Sequence, residues 1–308
     1  MSEAYKRQHI VPQAYLNRFA ARRGNSYQIG VGLKTTSSQG LKMFTNSVQS
    51  VAYIEEYYDT QVQKDKKFWE HYLDKNFDSL CGTPLSNIIA KITLCPHNEA
   101  VLSEQDKDIL SRIIISQAFR VPQFLNEQTD RAQEWLASYQ KAILDGIPEV
   151  EEYRRMRALI NGMSFGIDER KDMVLTAVFK EERFFKYCDI IKQKDWLIFY
   201  NDIRNKMPYV TGDNPVVFTT LKAAFEKMTT TGLANDDTVI LYPLTPSILI
   251  GIYSPLVYFG GLHRYNGRRL HIDDMKFIAK INCLIAQQSY VHTFLPEPLF
   301  SILHNRTD

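Results

Sequence analysis

The stretch Asp195-Trp196-Leu197-Ile198-Phe199-Tyr200-Asn201 decides the fold. Before it, apolar residues recur at spacings of three and four, the helical period. From Trp196 onward they come in short runs rich in aromatic and branched side chains, which marks strands. Toward the C-terminus, 209–211, 216–219, 238–242 and 248–253 read as further strands. A helix follows over 274–284, then a last strand over 286–294. Toward the N-terminus, Asp168 begins a helix with Met173, Ala177, Phe184, Tyr187 and Ile191 on its apolar face. Pro148 opens one that reaches residue 160, and another runs from Pro122 to residue 144. Pro122 also stops or kinks the helix before it, since an interior proline costs about 3 kcal/mol.

That earlier helix starts at Ser103-Glu104-Gln105-Asp106, a capping box with Asp in place of Glu or Gln, and buries Leu110, Ile113, Ile114 and Ala118. Thr83 and Pro84 cap and open a shorter helix to residue 92. Phe68, Trp69, Tyr72, Leu73, Phe77 and Leu80 predict a helix over 61–80. Residues 27–33 alternate, with Ile29 and Val31 on one side, and pair with 41–45 across a turn at 35–40. Residues 20–25 read as a basic turn, and 228–237 as the most flexible loop. Helices in the middle and strands in the last third argue for α+β. The expected architecture is a helical middle region packed on a mainly antiparallel sheet, formed largely by the C-terminal third. One domain spans 1–308, with an N-terminal motif and small hairpin (1–60), a helical region (61–192) and a sheet-rich region (193–308).

With 308 residues, 44% hydrophobic and 23% charged, the chain can build a full core without staples. A net charge of +2 demands no polyanionic partner. Cys81, Cys95, Cys188 and Cys283 form no C-x-x-C pair, so they read as reduced thiols. The N-terminus resembles no signal peptide, and no apolar run approaches the roughly 20 residues that span a bilayer, so a cytoplasmic protein with no membrane partner is expected. No Gly-rich phosphate loop, no His-Glu-x-x-His helix and no nucleophile elbow is present. These absences disfavour nucleotide-driven motors, zinc proteases and serine hydrolases of that type.

Candidate chemistry starts at Gln8-His9-Ile10-Val11-Pro12-Gln13-Ala14-Tyr15-Leu16-Asn17-Arg18-Phe19. Pro12 suits the first turn of a helix whose face carries Tyr15, Leu16 and Phe19. His9, just before that turn, would be held neutral by the helix N-terminus, as base or ligand. Its plain structural role is a helix-entry histidine bonded to a carbonyl. Asp213 and Asn214, in Thr211-Gly212-Asp213-Asn214-Pro215, would project from a strand end, with Gly212 allowing a tight turn. They suit metal holding or base orientation; the alternative is an Asx-turn. Arg120, before Val121-Pro122, has the fork to hold an anion, or it satisfies Asp213, Glu55 or helix-end carbonyls inside the fold. Among Glu55, Glu56 and Asp59, Glu56 is the chosen acid. Arg18, Arg22 and Arg23 form one basic cluster; Arg264, Arg268 and Arg269 form another. Together with Tyr15 and Asn214, Arg18, Arg22 and Arg268 are the expected substrate contacts. A divalent cation is compatible with this set, but its ligands are not legible.

Four motifs in order carry a resemblance: Gln-His-Ile-Val-Pro-x-x-Tyr-Leu-x-x-Phe at 8–19, Gln117-Ala118-Phe119-Arg120-Val121-Pro122, Thr211-Gly212-Asp213-Asn214-Pro215-Val216, and Tyr242-Pro243-Leu244-Thr245-Pro246. Over nearly the whole chain this resembles the bacterial family called domain of unknown function 4238. Where that family usually has Arg-Thr-Pro and Ser-Asp-Asn-Pro, this chain has Arg-Val-Pro and Gly-Asp-Asn-Pro. The resemblance implies a compact bacterial intracellular protein and brings no established activity. His9-Ile10-Val11-Pro12 also resembles the His-Ile-Val-Pro of HNH nucleases, whose ββα-metal site needs further ligands soon after; here Asn17 and Asn25 follow, and the next histidine is His71. The expectation is therefore a hydrolase, and within that class a nuclease with nucleic acid as partner and a toxin or phage-defence role. The alternative is a non-catalytic ligand- or protein-binding module.

Overall fold

In the computed structural model, which describes residues 7–33, 42–96, 99–180, 182–220, 232–255, 259–297 and 299–300, Asp195–Asn201 forms strand β6 inside a five-stranded sheet. The sheet order is β11-β6-β10-β9-β8, with β8 at Val217–Thr220, β9 at Thr238–Thr245, β10 at Ile248–Tyr253 and β11 at Arg269–Ile272. Only β11 runs parallel to its neighbour; the other pairings are antiparallel. A second, antiparallel sheet joins β2 (Ala21–Arg23), β3 (Ser26–Leu33), β4 (Lys42–Ser47), β7 (Thr211–Gly212) and β12 (His292–Leu295). Two short strands, β1 (Arg7–His9) and β5 (Tyr53–Glu55), pair antiparallel on their own. The fold is α+β.

The period of two explains why β6 is buried on both faces. Trp196 and Ile198 point into one core, shared with Ile240, Tyr242, Ile250 and Ile252 and with the helices. Leu197 and Phe199 point into the other, with Leu241, Leu249, Ile278 and Ile285. Gly251 sits where a Cβ would press on the Phe199 and Tyr253 rings. The first core reaches from Ile10 and Tyr15 through the helices to Phe294, so all three sequence regions contribute to it.

The helices are α1 (Gln13–Leu16), α2 (Phe68–Asn76), α3 (Thr83–Leu94), α4 (Glu104–Phe119), α5 (Pro122–Asp145), α6 (Arg154–Gly162), α7 (Ile167–Leu175), α8 (Glu182–Lys192), α9 (Phe259–His263) and α10 (Met275–Gln288). At the start of α4, the Ser103 hydroxyl accepts from Asp106 N while the Asp106 carboxylate accepts from Ser103 N, so aspartate completes the box. Pro122 neither kinks nor merely stops α4; with Val121 extended, it opens α5 as a first-turn proline.

Several boundaries differ from expectation. The first helix is a single turn. Residues 61–67 are turns and bends, and α2 starts only at Phe68. Pro148 opens no helix; a tight turn at Glu151–Tyr153 leads into α6. The helix expected from Asp168 is two, α7 and α8, with a widened turn at Thr176–Lys180 between them. The basic turn at 20–25 contains β2, folded back on β3 through Gly24 at φ +60°. The last strand starts at His292 because α10 continues to Gln288. Strand β11 has no signature in the sequence, because Arg268-Arg269-Leu270-His271 shows no apolar alternation. The turn at 35–40 and the start of the 228–237 loop lie outside the described residues.

Candidate functional site

The four motifs meet around Tyr15. Its hydroxyl donates to the Pro243 carbonyl at 2.6 Å and lies 2.8 Å from the Thr211 hydroxyl, and its ring stacks on Tyr242 at 5.4 Å. Gln117 donates to the Tyr242 hydroxyl at 2.7 Å. One residue from each motif is thus joined in a buried polar cluster. Tyr15 is wholly buried, a keystone of packing with no access to solvent.

Beside this cluster, β1 alternates. Gln8 points inward, where its amide donates to Asp59 and, at 3.2 Å, to Glu70, while its carbonyl accepts from Tyr58 N at 2.5 Å. His9, paired in register with Tyr53, faces a cavity of about 540 Å³. Gln13, Tyr58, Glu70, His71, Asp74, Asp78 and Arg120 line the same cavity. Sequence reasoning named His9 and Arg120; the fold brings them together.

Arg120 caps the C-terminus of α4 and is 1% exposed. Its guanidinium donates to Asp78 at 2.5 Å and sits 5.8 Å from the centre of the Tyr58 ring. Burial opposes its charge, but the Asp78 carboxylate prevails and raises its pKa, so the cation is held in place. Burial pushes the Asp78 carboxyl up against the pull of Arg120. The expected partners of Arg120, Asp213 or Glu55, are replaced by Asp78. Arg120 Nε has no hydrogen-bond partner.

His9 is neutral, as expected, for a different reason. Burial lowers its pKa to about 4, with the Gln49 carbonyl pulling upward and Arg120 and Arg7 downward. The four-residue α1 plays no part in those causes. Nδ1 lies 3.4 Å from the Gln13 amide nitrogen, and Nε2 has no partner. Burial also raises the Glu70 carboxyl, against the hydrogen bond from Gln8. The strand beside His9 is β5, more than forty residues away in sequence, so β1 and α1 do not build a ββα-metal hairpin.

Asp213 does not line this cavity. Its carboxylate accepts from the backbone N–H groups of Tyr290 at 2.6 Å and of Val291 and His292 at 2.8 Å, tying the end of β7 to the start of β12. Burial raises its pKa against those three amides. Its oxygens are committed to the fold rather than to a metal. Asn214 donates to the Gln288 carbonyl at 3.3 Å. Gly212 is needed for space rather than turning, because a Cβ would collide with the Ser289 hydroxyl. Glu56 lies outside the cavity lining, at φ +52°, with Lys66 3.4 Å away.

The basic clusters are largely absorbed. Arg18 donates to the Ala14, Cys81 and Gly82 carbonyls and lines a different hollow of about 250 Å³, with Arg204 and Glu297. Arg269 donates to the Ile92 and Thr93 carbonyls. Arg268 lies at an isolated bridge to Ala100, and Arg22 is exposed on β2. Among the described residues no group of three or more His, Cys, Asp or Glu is placed to hold a metal ion, and no helix is long and apolar enough to cross a membrane. All four cysteines are free thiols.

Gln13, Tyr58, Glu70 and Asp78 went unnamed as cavity residues in the sequence. Gln13 had a signal, one turn beyond His9. Asp78, on the tight turn after α2, had none, because its role depends on a partner 42 residues away.

No curated protein and no solved structure matched the chain. The profile of one family did, over residues 7–295. With nearly the whole chain matched, the protein belongs to the family described as "Protein of unknown function (DUF4238)".

Proposed function

We propose that the His9–Arg120 cavity is the working site of a hydrolase acting on a small polar substrate. The observation that carries this reading is a pair of uncommitted nitrogens, His9 Nε2 and Arg120 Nε, on residues that line one cavity. Buried polar atoms are nearly always bonded, and with the Tyr58 hydroxyl three unpartnered atoms belong to residues lining one cavity, which suits a polar ligand there. The Gln13 amide nitrogen can only donate to Nδ1, which leaves the ring proton on Nε2; taking a proton from water at Nε2 therefore requires the other tautomer, with the proton on Nδ1. The fixed guanidinium gives a developing negative charge something to lean on. Three carboxyl groups, on Glu70, Asp74 and Asp78, stand against one guanidinium in the lining, which favours a neutral or cationic substrate over a polyanion.

A nuclease with a toxin or phage-defence role is a different form of the hydrolase reading, and its polyanionic substrate is the kind that this acidic lining disfavours. Its support is the exposed Arg22; the pairing of Arg23 with Glu297 and the commitment of Arg18 and Arg269 to carbonyls weigh against it. The second reading, a binding module without chemistry, is favoured by Arg120 and Asp213 both being tied to their own fold.

Purified protein and His9→Gln would be incubated with ester, amide and phosphodiester panels, including labelled RNA and DNA, with and without divalent cations. The hydrolase reading expects turnover that His9→Gln abolishes while leaving the melting temperature nearly unchanged. Ligand binding without turnover would favour the binding module.

A further inference from the structure

Helices α5 and α6 carry large apolar side chains that remain exposed. On α5, Trp135, Tyr139 and Ile143 are 59%, 56% and 37% exposed; on and just after α6, Met156, Leu159 and Met163 are 50%, 71% and 61% exposed. The two helices pack antiparallel. Arg157 donates to the Leu144 and Ile147 carbonyls at 2.7 and 2.6 Å, and Gln140 donates to the Met163 carbonyl at 3.0 Å. Leu136, Gln140 and Leu144 lie toward the contact on one side, Arg157 and Ile160 on the other; all are half-buried. Trp135, Tyr139 and Ile143 each precede a contact residue by one position. So do Met156 and Leu159. One position is 100° of helix. In an antiparallel pair the same offset turns both rows to the same side of the plane holding the two axes. These five side chains therefore share one face. Trp135 and Tyr139 stack there at 5.5 Å and 8°, a flat aromatic wall.

We propose that this face is the self-association surface of the protein, two copies stacking hairpin on hairpin about a two-fold axis. A two-fold interface uses the same patch twice, so a self-complementary apolar face suffices. The result is a four-helix layer. At about 200 Å² per large side chain, the five exposures leave on the order of 550 Å² of apolar surface per chain, toward the low end of what a specific interface buries per partner. Trp, Tyr and Met are residues that interface centres favour, and no charge sits within either row. Residues 127–163 hold seven acids and five bases, a net −2 that an anionic lipid surface would repel. A second copy is the occupant that both the area and the charge fit.

The test is sedimentation of the full chain at micromolar concentration. The expected mass is twice 35.7 kDa for the wild type and 35.7 kDa for the double variant Tyr139→Glu, Leu159→Glu, with an unchanged circular dichroism spectrum. A wild type sedimenting as one chain, or a folded double variant that stays paired, overturns the proposal. Tryptophan quenching gives a reading that needs no variant. Trp69 and Trp196 are 0% exposed, so acrylamide reports on Trp135. Quenching should rise as wild type is diluted. Constant quenching on dilution, or wild type floating with phosphatidylserine vesicles, would overturn the proposal.

Discussion

Two buried charges, one at the cavity and one at the sheet edge, are handled differently. Asp213 has its oxygens filled by three amides of the β12 approach. Arg120 is bound through one nitrogen and leaves Nε empty, beside a histidine with an empty Nε2. Both belong to motifs that carry the family resemblance. Membership in a motif therefore does not distinguish scaffold from site. What distinguishes them is whether the polar atoms are used up by the chain itself.

The largest effect is expected at the cavity pair. Arg120→Met leaves the Asp78 carboxylate buried without its cation and should cost about 3–5 kcal/mol in urea unfolding. If Asp78→Asn restores most of that loss, the pair is the cause; no rescue would mean that Arg120 acts through packing. Asp213→Ala strands three amides and should cost about 3 kcal/mol. Turnover or ligand binding per folded molecule should be unchanged. A change confined to function would break the contrast between anchor and site.

The pH dependence sharpens it further. The His9 pKa falls from 6.5 to about 4 on folding, so the unfolded chain takes up the proton first as pH drops. Stability from this group is complete above pH 6.5 and is lost as pH falls toward 4, by at most about 3 kcal/mol. The raised Asp213 carboxyl works with the opposite sign in acid, so the comparison is wild type minus His9→Gln. Equal pH profiles for the two proteins would remove the buried-imidazole account. Tyr15→Phe loses the hydrogen bond to Pro243 and should cost about 1–2 kcal/mol in thermal unfolding, whether or not a ligand is bound. The smallest stability effect, within about 1 kcal/mol at neutral pH, belongs to His9→Gln, because its Nε2 holds nothing in the fold.

The helices and strands around Trp196 were legible because burial there follows a simple period, as α4 and β10 illustrate. Strand β11 was not, since a strand of arginine and histidine is held by its neighbour and by carbonyls of α3 rather than by alternation. His9 and Arg120 were legible as residue types at suggestive places. Their meeting was not, because it depends on Gln8 bridging toward Asp59 and Glu70, and on Asp78 arriving from the turn after α2. Asp213 shows the limit most plainly. Pro215 and Asn214 announced a polar strand end, but the amides that fill the carboxylate come from residues 290–292.

The most direct test follows the His9 ring nitrogens by NMR in the full chain as pH is lowered. The expected result is a ring that stays neutral until about pH 4. A midpoint near the ordinary 6.5 would mean that the imidazole is solvated or already paired, and would contradict the site proposed for it.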